Sequence, residues 1–300
     1  IRFFGGANTL TLHNGSTITG NIEIDGGGSI TFDQSTAQSL SNVITGNGSV
    51  IQDGAGTLTL SGANTYSGGT TVAAGTLSIA ANSNLGNGGT LALEDGVTLA
   101  ITGTNTFDHP LSIAGSPTIA ITTGKTTTWS GLVADGSSVG NLVVSGGIFT
   151  PTNTANSYSG STSIKNGGTL VIDNIGELGS STSIDVNYAE INFTGSAVAD
   201  GLTIIGTNNG IAQFDGGSSA GNAAINPGHG SLFFDGNATA GSATISGTNG
   251  TSIAFSNNSD GGAAALTIDA TSQADFSDGT GPAGDNKMGI GSIAGAGAFY

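Results

Sequence analysis

FTGSAVADGLTI (193–204), FDGGSSAGNAAI (214–225), FDGNATAGSATI (234–245), FSNNSDGGAAALTI (255–268) and FSDGTGPAGDNKMGI (276–290) are five successive versions of one unit. Their phenylalanines, Phe193, Phe214, Phe234, Phe255 and Phe276, are spaced by 21, 20, 21 and 21 residues. Two residues ahead of the first four stand Ile191, Ala212, Leu232 and Ile253, and eleven residues behind them come Ile204, Ile225, Ile245 and Leu266. A register held over more than eighty residues is the signature of a repeat architecture. Each unit reads as two short strands, one ending in the apolar-x-Phe pair and one carrying L-T-I or A-T-I, parted by Gly, Asn, Ser and Asp turns. One unit alone leaves most of its apolar surface in water. Stacked on its neighbours, it brings equivalent residues into register and its backbone groups pair with the coils above and below.

A coil of roughly 20 residues with two or three short strands is the arithmetic of a right-handed parallel β-helix. Glycine serves the tight corners, where φ is positive, and asparagine suits the same corners and ladders between coils. The pulse continues outside the five units at Ile22-x-Ile24, Ile30-x-Phe32, Leu58-x-Leu60, Leu77-x-Ile79, Leu99-x-Ile101, Ile119-x-Ile121 and Leu170-x-Ile172. No window carries the i, i+3, i+4, i+7 spacing of an amphipathic helix, and Gly or Pro interrupts every candidate. The chain is therefore expected to be all-β, one solenoid over residues 1–300 without an internal boundary. Irregular rungs are expected near Asp108-His109-Pro110 and between Gly281 and Asn286.

Composition narrows the partners. The 300 residues include 54 glycines, 20 acids, only four basic residues and no cysteine, for a net charge of -16. Arg2, Lys125, Lys165 and Lys287 form no cluster, so the chain lacks the cationic footprint that phosphate backbones and anionic headgroups require. Without cysteine, no disulfide contributes to stability. No apolar stretch approaches the roughly 18 residues of a membrane helix.

GAGTLTLSGANTYSGGTTVAAGTLSI, residues 54–79, resembles the passenger-associated transport repeat of bacterial autotransporters. NTANSYSGSTSIKNGGTLVI, residues 153–172, is similar to it, with Tyr158 and Gly160 matching Tyr66 and Gly68. This second copy is read as lacking the Leu-x-Leu strand ahead of it, and Ser161 stands where the first copy has its second glycine. The Phe-anchored units of 193–276 and the tail IGSIAGAGAFY also look like autotransporter passenger sequence. The resemblance implies a non-catalytic passenger fragment, exported across the inner membrane and translocated with a C-terminal outer-membrane β-barrel outside these residues. It would fold as a β-helical stalk at the cell surface, anchored to the outer membrane or released. The implied partners are that barrel and molecules on host or neighbouring cells, with no nucleic acid, no metal and no cofactor. The uncapped strand at the Tyr300 end is expected to continue into further coils.

Particular residues bear on other chemistries. The histidines are His13, His109 and His229, and PGHGS at 227–231 is similar to the Gly-His-Gly of polygalacturonases, which are also β-helices. That chemistry needs clustered aspartates, and its Arg-x-Lys motif is missing, so a pectinase or polysaccharide-lyase-like enzyme is the alternative and His229 reads as a solvated turn residue. A serine-protease centre would need a nucleophile motif with a matching His and Asp, and Gly-x-Ser-x-Gly arises trivially in a Gly- and Ser-rich chain. GGGSITFDQ at 26–34 lacks the second half of a calcium-binding nonapeptide repeat, and Asp215 and Asp235 read as lone turn carboxylates. Thr57-x-Thr59 and Thr126-Thr127-Thr128 do not repeat at the coil period, as an ice-binding face would demand, and read as polar strand residues. No catalytic, cofactor-binding or metal-ligating residue is assigned.

Overall fold

A computed structural model describes residues 1–13 and 16–300. The chain is all-β, a parallel β-solenoid of about 14 turns with ~21 residues per turn. Among the described residues its only helical segments are two single 3-10 turns, Asn82–Leu85 and Ile175–Leu178. The chain divides into two compact units: Ile1–Val143 with Gly147–Phe149 and Ala155–Ser159, and Val144–Gly146 with Thr150–Thr154 and Gly160–Tyr300.

In the first unit, strands mostly of three to five residues recur once per face and pair in parallel. Thr57–Leu60, Thr76–Ile79, Thr98–Ile101 and Thr118–Ile121 align so that Leu58, Leu77, Leu99 and Ile119 occupy one column. All four are at most 1% exposed. A second face stacks Ser29–Phe32, Ser49–Gln52, Thr70–Val72, Leu91–Leu93 and Leu111–Gly115. The apolar-x-apolar pairs thus point inward and the residues between them outward, as the period-2 pleat dictates. Larger rings fill one end of this core. Trp129 stacks on Phe107 at 5.1 Å between ring centres, with Phe149 at 6.4 Å beyond it. The buried Trp129 indole donates Nε1–H to the carbonyl of His109 at 3.0 Å, which satisfies its polar end.

In the second unit the five-unit register appears as drawn from the sequence. Phe193, Phe214, Phe234 and Phe255 are directly opposite one another on successive strands. Ring centres along the column, continued to a half-buried Phe276, are 4.7, 5.0, 4.7 and 5.2 Å apart, with planes within 12° of parallel. The strand spacing of a sheet, about 4.8 Å, sets this distance. Ile204, Ile225, Ile245 and Leu266 form a second buried column on the other sheet. A third side carries single parallel bridges, Val198 to Ser219 to Thr239 to Asp260.

One of the two expected irregular rungs lies elsewhere. Around Gly281–Asn286 the coil lengthens as expected: Ala265 pairs with Ser292, an offset of 292 − 265 = 27 residues. At Asp108-His109-Pro110 the register stays regular, Leu91 pairing with Leu111 (111 − 91 = 20). The disruption falls later, on the strand Val133–Gly140, where pairing slips from Ile113–Asp135 to Gly115–Gly140. Gly136 and the exposed Ser137 and Ser138 allow this slip, while Pro110 sits between strands where it costs no ladder bond.

Candidate functional site

The two segments that resemble transport repeats build the same corner. In the first, Asn64 and Tyr66 are buried although no strand passes through them. The side chain of Asn64 spans the coils: its Oδ1 accepts the backbone N–H of Ile44 at 2.8 Å, and its Nδ2 donates to the carbonyl of Asn84 at 2.7 Å. One planar amide thus replaces the donor and acceptor that a strand would present to both neighbours. Tyr66 is fully buried, its hydroxyl 2.5 Å from the Thr70 Oγ1, and burial pushes the phenol pKa up.

In the second corner Asn156 Oδ1 accepts the N–H of Val133 at 2.8 Å, and Tyr158 is fully buried. In both cases the amide caps the start of a strand, Ile44–Gly46 or Val133–Gly140, that ends its sheet among the described residues. The strand expected to be missing ahead of the second copy is present: Ile148–Pro151 buries Phe149 and Pro151 where Thr57–Leu60 buries Leu58 and Leu60. Sequence reading missed it because Phe-x-Pro does not look like Leu-x-Leu. A proline at the inner end of such a short strand is tolerated where its N–H is not needed.

Each corner is followed by a Leu-x-Ile strand and then a 3-10 turn. Asn84 Oδ1 accepts the N–H groups of Ala80 and Ala81 at 3.0 and 2.9 Å. Glu177, at the equivalent position in the second copy, accepts the N–H of Asp173 through Oε2 at 2.9 Å. Burial pushes the Glu177 carboxyl up, opposed by the backbone N–H groups it accepts from. Leu85 and Leu178 plug the core behind them. Gly86 closes the first turn at φ 85°, and a Cβ there would sit 2.3 Å from the Tyr66 carbonyl oxygen, so the close approach of the Tyr66 backbone requires a glycine. The recurring Asn-Leu-Gly and Glu-Leu-Gly at 84–86 and 177–179 is a sequence signal by which these turns could have been found.

Above the first 3-10 turn lies a groove of about 420 Å³ lined by Asn82, Gly86, Asn87, Asp108, His109 and Pro110. His109 is buried, and its Nδ1–H donates to Asn82 Oδ1 at 2.9 Å. Asn82 Nδ2 donates in turn to Asp108 Oδ1 at 2.8 Å. Burial holds the imidazole pKa below its ordinary value, with Asp108 pulling the other way. The folded chain therefore binds fewer protons at His109 than the unfolded chain below about pH 6.5, and its contribution to stability is lost as pH falls through that window. The unfolding free energy is expected to fall between about pH 7 and about pH 5, and to fall less in His109→Gln. Denaturant titrations of both proteins across that range measure the difference. Equal slopes would remove His109 as the cause.

The remaining candidates stand apart from one another. His13 and His229 are exposed, the latter in a turn. Asp215 and Asp235 accept the N–H of the glycine that follows each, at 2.5 and 2.7 Å, as turn carboxylates do. Asn257 and the Gly236 N–H hold the Asp235 carboxyl below its usual range. Thr127 is fully buried, so Thr126-Thr127-Thr128 presents no flat outward array. Among the described residues no three His, Asp or Glu side chains converge.

The sequence profile of the Passenger-associated-transport-repeat matches the chain twice, at residues 50–79 and 140–172. No curated protein and no solved structure matches it. Both matches contain the strand ahead of the corner, the buried Asn and Tyr, and the Leu-x-Ile strand that follows. The chain is a β-solenoid carrying two passenger-associated transport repeats, consistent with an autotransporter passenger domain.

Proposed function

We propose that this chain is a non-catalytic stalk of a bacterial surface autotransporter, supporting secretion, display at the cell surface, and adhesion or self-association. The observation that carries the reading is the pair of transport repeats, each built around a buried Asn-x-Tyr corner on a parallel solenoid. A solenoid suits the task because each coil contacts only its neighbours, so folding can propagate coil by coil as the chain emerges. With no cysteine in the chain, it closes its core without a disulfide. The alternative, a pectinase-like enzyme, lacks a supporting feature: its acid–base chemistry needs paired carboxylates, and Asp215 and Asp235 are each occupied with a turn N–H group.

Display is tested by fusing the 300 residues to an autotransporter barrel in a Gram-negative host and adding protease to intact cells. The expected result is a surface-exposed, folded chain. Retention in the periplasm, under conditions in which a control passenger on the same barrel reaches the surface, would remove the reading.

A further inference from the structure

A column of left-handed corner residues runs up one edge of the second unit. Asn166, Tyr188 and Asn208 have φ values of 54°, 47° and 48°. Their backbones are keyed together: Tyr188 N–H donates to the Asn208 carbonyl at 3.2 Å, and Gly167 N–H donates to the Tyr188 carbonyl at 2.6 Å. Asparagine is at home in this conformation because its short amide hydrogen-bonds locally. Here Asn166 reaches the Ser145 hydroxyl and Asn208 reaches Asn187, at 3.1 Å each. Tyrosine is not at home there. A bulky residue at positive φ is an outlier that persists only where the surroundings enforce it, and such outliers gather at binding sites.

Tyr188 gets little burial in return, being 59% exposed. The other exposed aromatics, Phe4, Phe299 and Tyr300, all lie within four residues of an end of the sequence. Beside the ring runs a groove of about 340 Å³ that crosses three coils, lined by Thr169, Tyr188, Glu190, Asn209 and Ile211 with the backbone of Gly167–Gly168. Thr169, Glu190 and Ile211 occupy one register column, so their side chains stand in a row along the groove.

We propose that this groove binds a neutral pyranoside glycan, with Tyr188 as the stacking platform and Glu190, Asn209 and Thr169 as hydrogen-bonding partners for its hydroxyls. The C–H face of a pyranose is apolar and slightly positive, and it matches the negative face of an aromatic ring. A few polar groups around such a face fix orientation, as in small-ligand sites generally. The charge excludes acidic sugars: Glu190 lines the groove, the chain carries a net charge of -16, and Lys165, in register with Asn187, is not among the lining residues. A peptide adding itself as a strand finds no free backbone, because the N–H groups of Glu190 and Ile211 already donate to Gly168 and Ala189. The groove gives the displayed stalk a ligand class and so rests on the display reading, but its test uses the purified chain and can fail while display succeeds.

The 300-residue chain is applied to an array of immobilised neutral oligosaccharides (gluco-, galacto- and mannopyranosides) and of sialylated and uronic-acid glycans. The best neutral oligosaccharide is then titrated against wild type, Tyr188→Phe and Tyr188→Asn. Expected are a neutral-glycan signal, a loss of about tenfold or more in Tyr188→Asn, and retention within about threefold in Tyr188→Phe, which keeps the ring. Asparagine relieves the left-handed backbone, so the melting temperature of Tyr188→Asn should not fall. Should that variant nevertheless misfold, the shift of the Tyr188 ring protons during titration of wild type decides instead. Absence of any neutral-glycan binding, binding of acidic glycans alone, wild-type affinity in Tyr188→Asn, or unshifted ring protons would each overturn the proposal.

Discussion

Phe234→Ala is expected to lower the unfolding free energy by about 3–5 kcal/mol, the usual cost of emptying a buried phenylalanine site. Phe234 is fully buried, with Phe214 at 5.0 Å on one side and Phe255 at 4.7 Å on the other. Neither neighbour can collapse into the gap, because each is pinned by its own strand in register with the next coil. A rigid wall makes for a persistent cavity, and cavity volume is what raises the cost above simple transfer. Phe233, one residue earlier, points outward and is only half-buried, so Phe233→Ala should cost about 1 kcal/mol or less. Urea titrations of the two variants give the comparison. Stack-wise unfolding need not be two-state, so circular dichroism and tyrosine fluorescence should be read together. Equal losses for the two positions would contradict the inward assignment of the Phe column.

Asn64→Ala should cost about 2–4 kcal/mol. It strands the buried Ile44 N–H and the Asn84 carbonyl, and each unpaired buried group costs about 1–3 kcal/mol. Asn64→Asp separates the two halves of this effect. It keeps an acceptor for Ile44 but loses the donor and buries a charge, so it should be no better than alanine near neutral pH. Hydrogen exchange at the Ile44 amide offers a local readout: its protection should drop in both variants. Full retention of stability in Asn64→Ala would mean that the amide bridge contributes nothing, and with it would go the account of why the transport repeat keeps this residue.

These two sites divide what sequence and structure each decided. The Phe column was legible because its cause is local and repeated: an apolar-x-Phe pair can only alternate in and out of a strand, and a 20- or 21-residue recurrence forces equal positions to stack. Asn-x-Tyr was legible as a motif, yet nothing in its neighbours says that both residues are buried, since asparagine favours exposed turns as readily. Burial there is decided by Ile44 and Asn84, each 20 residues away, which leave one donor and one acceptor for an amide to fill. Phe149-x-Pro151 went unrecognised for the same reason, as its partners rather than its composition make it a strand. His109 and Tyr188 lie furthest from sequence reasoning. The histidine is buried because a 3-10 turn offers Asn82, 27 residues earlier, and the tyrosine is held at positive φ in a column with asparagines. The sequence by itself determined the coil, its period and the inward columns, because period-2 alternation and repeat length are local properties. Only the tertiary structure decided the corners, because each corner's environment is supplied by the coils above and below.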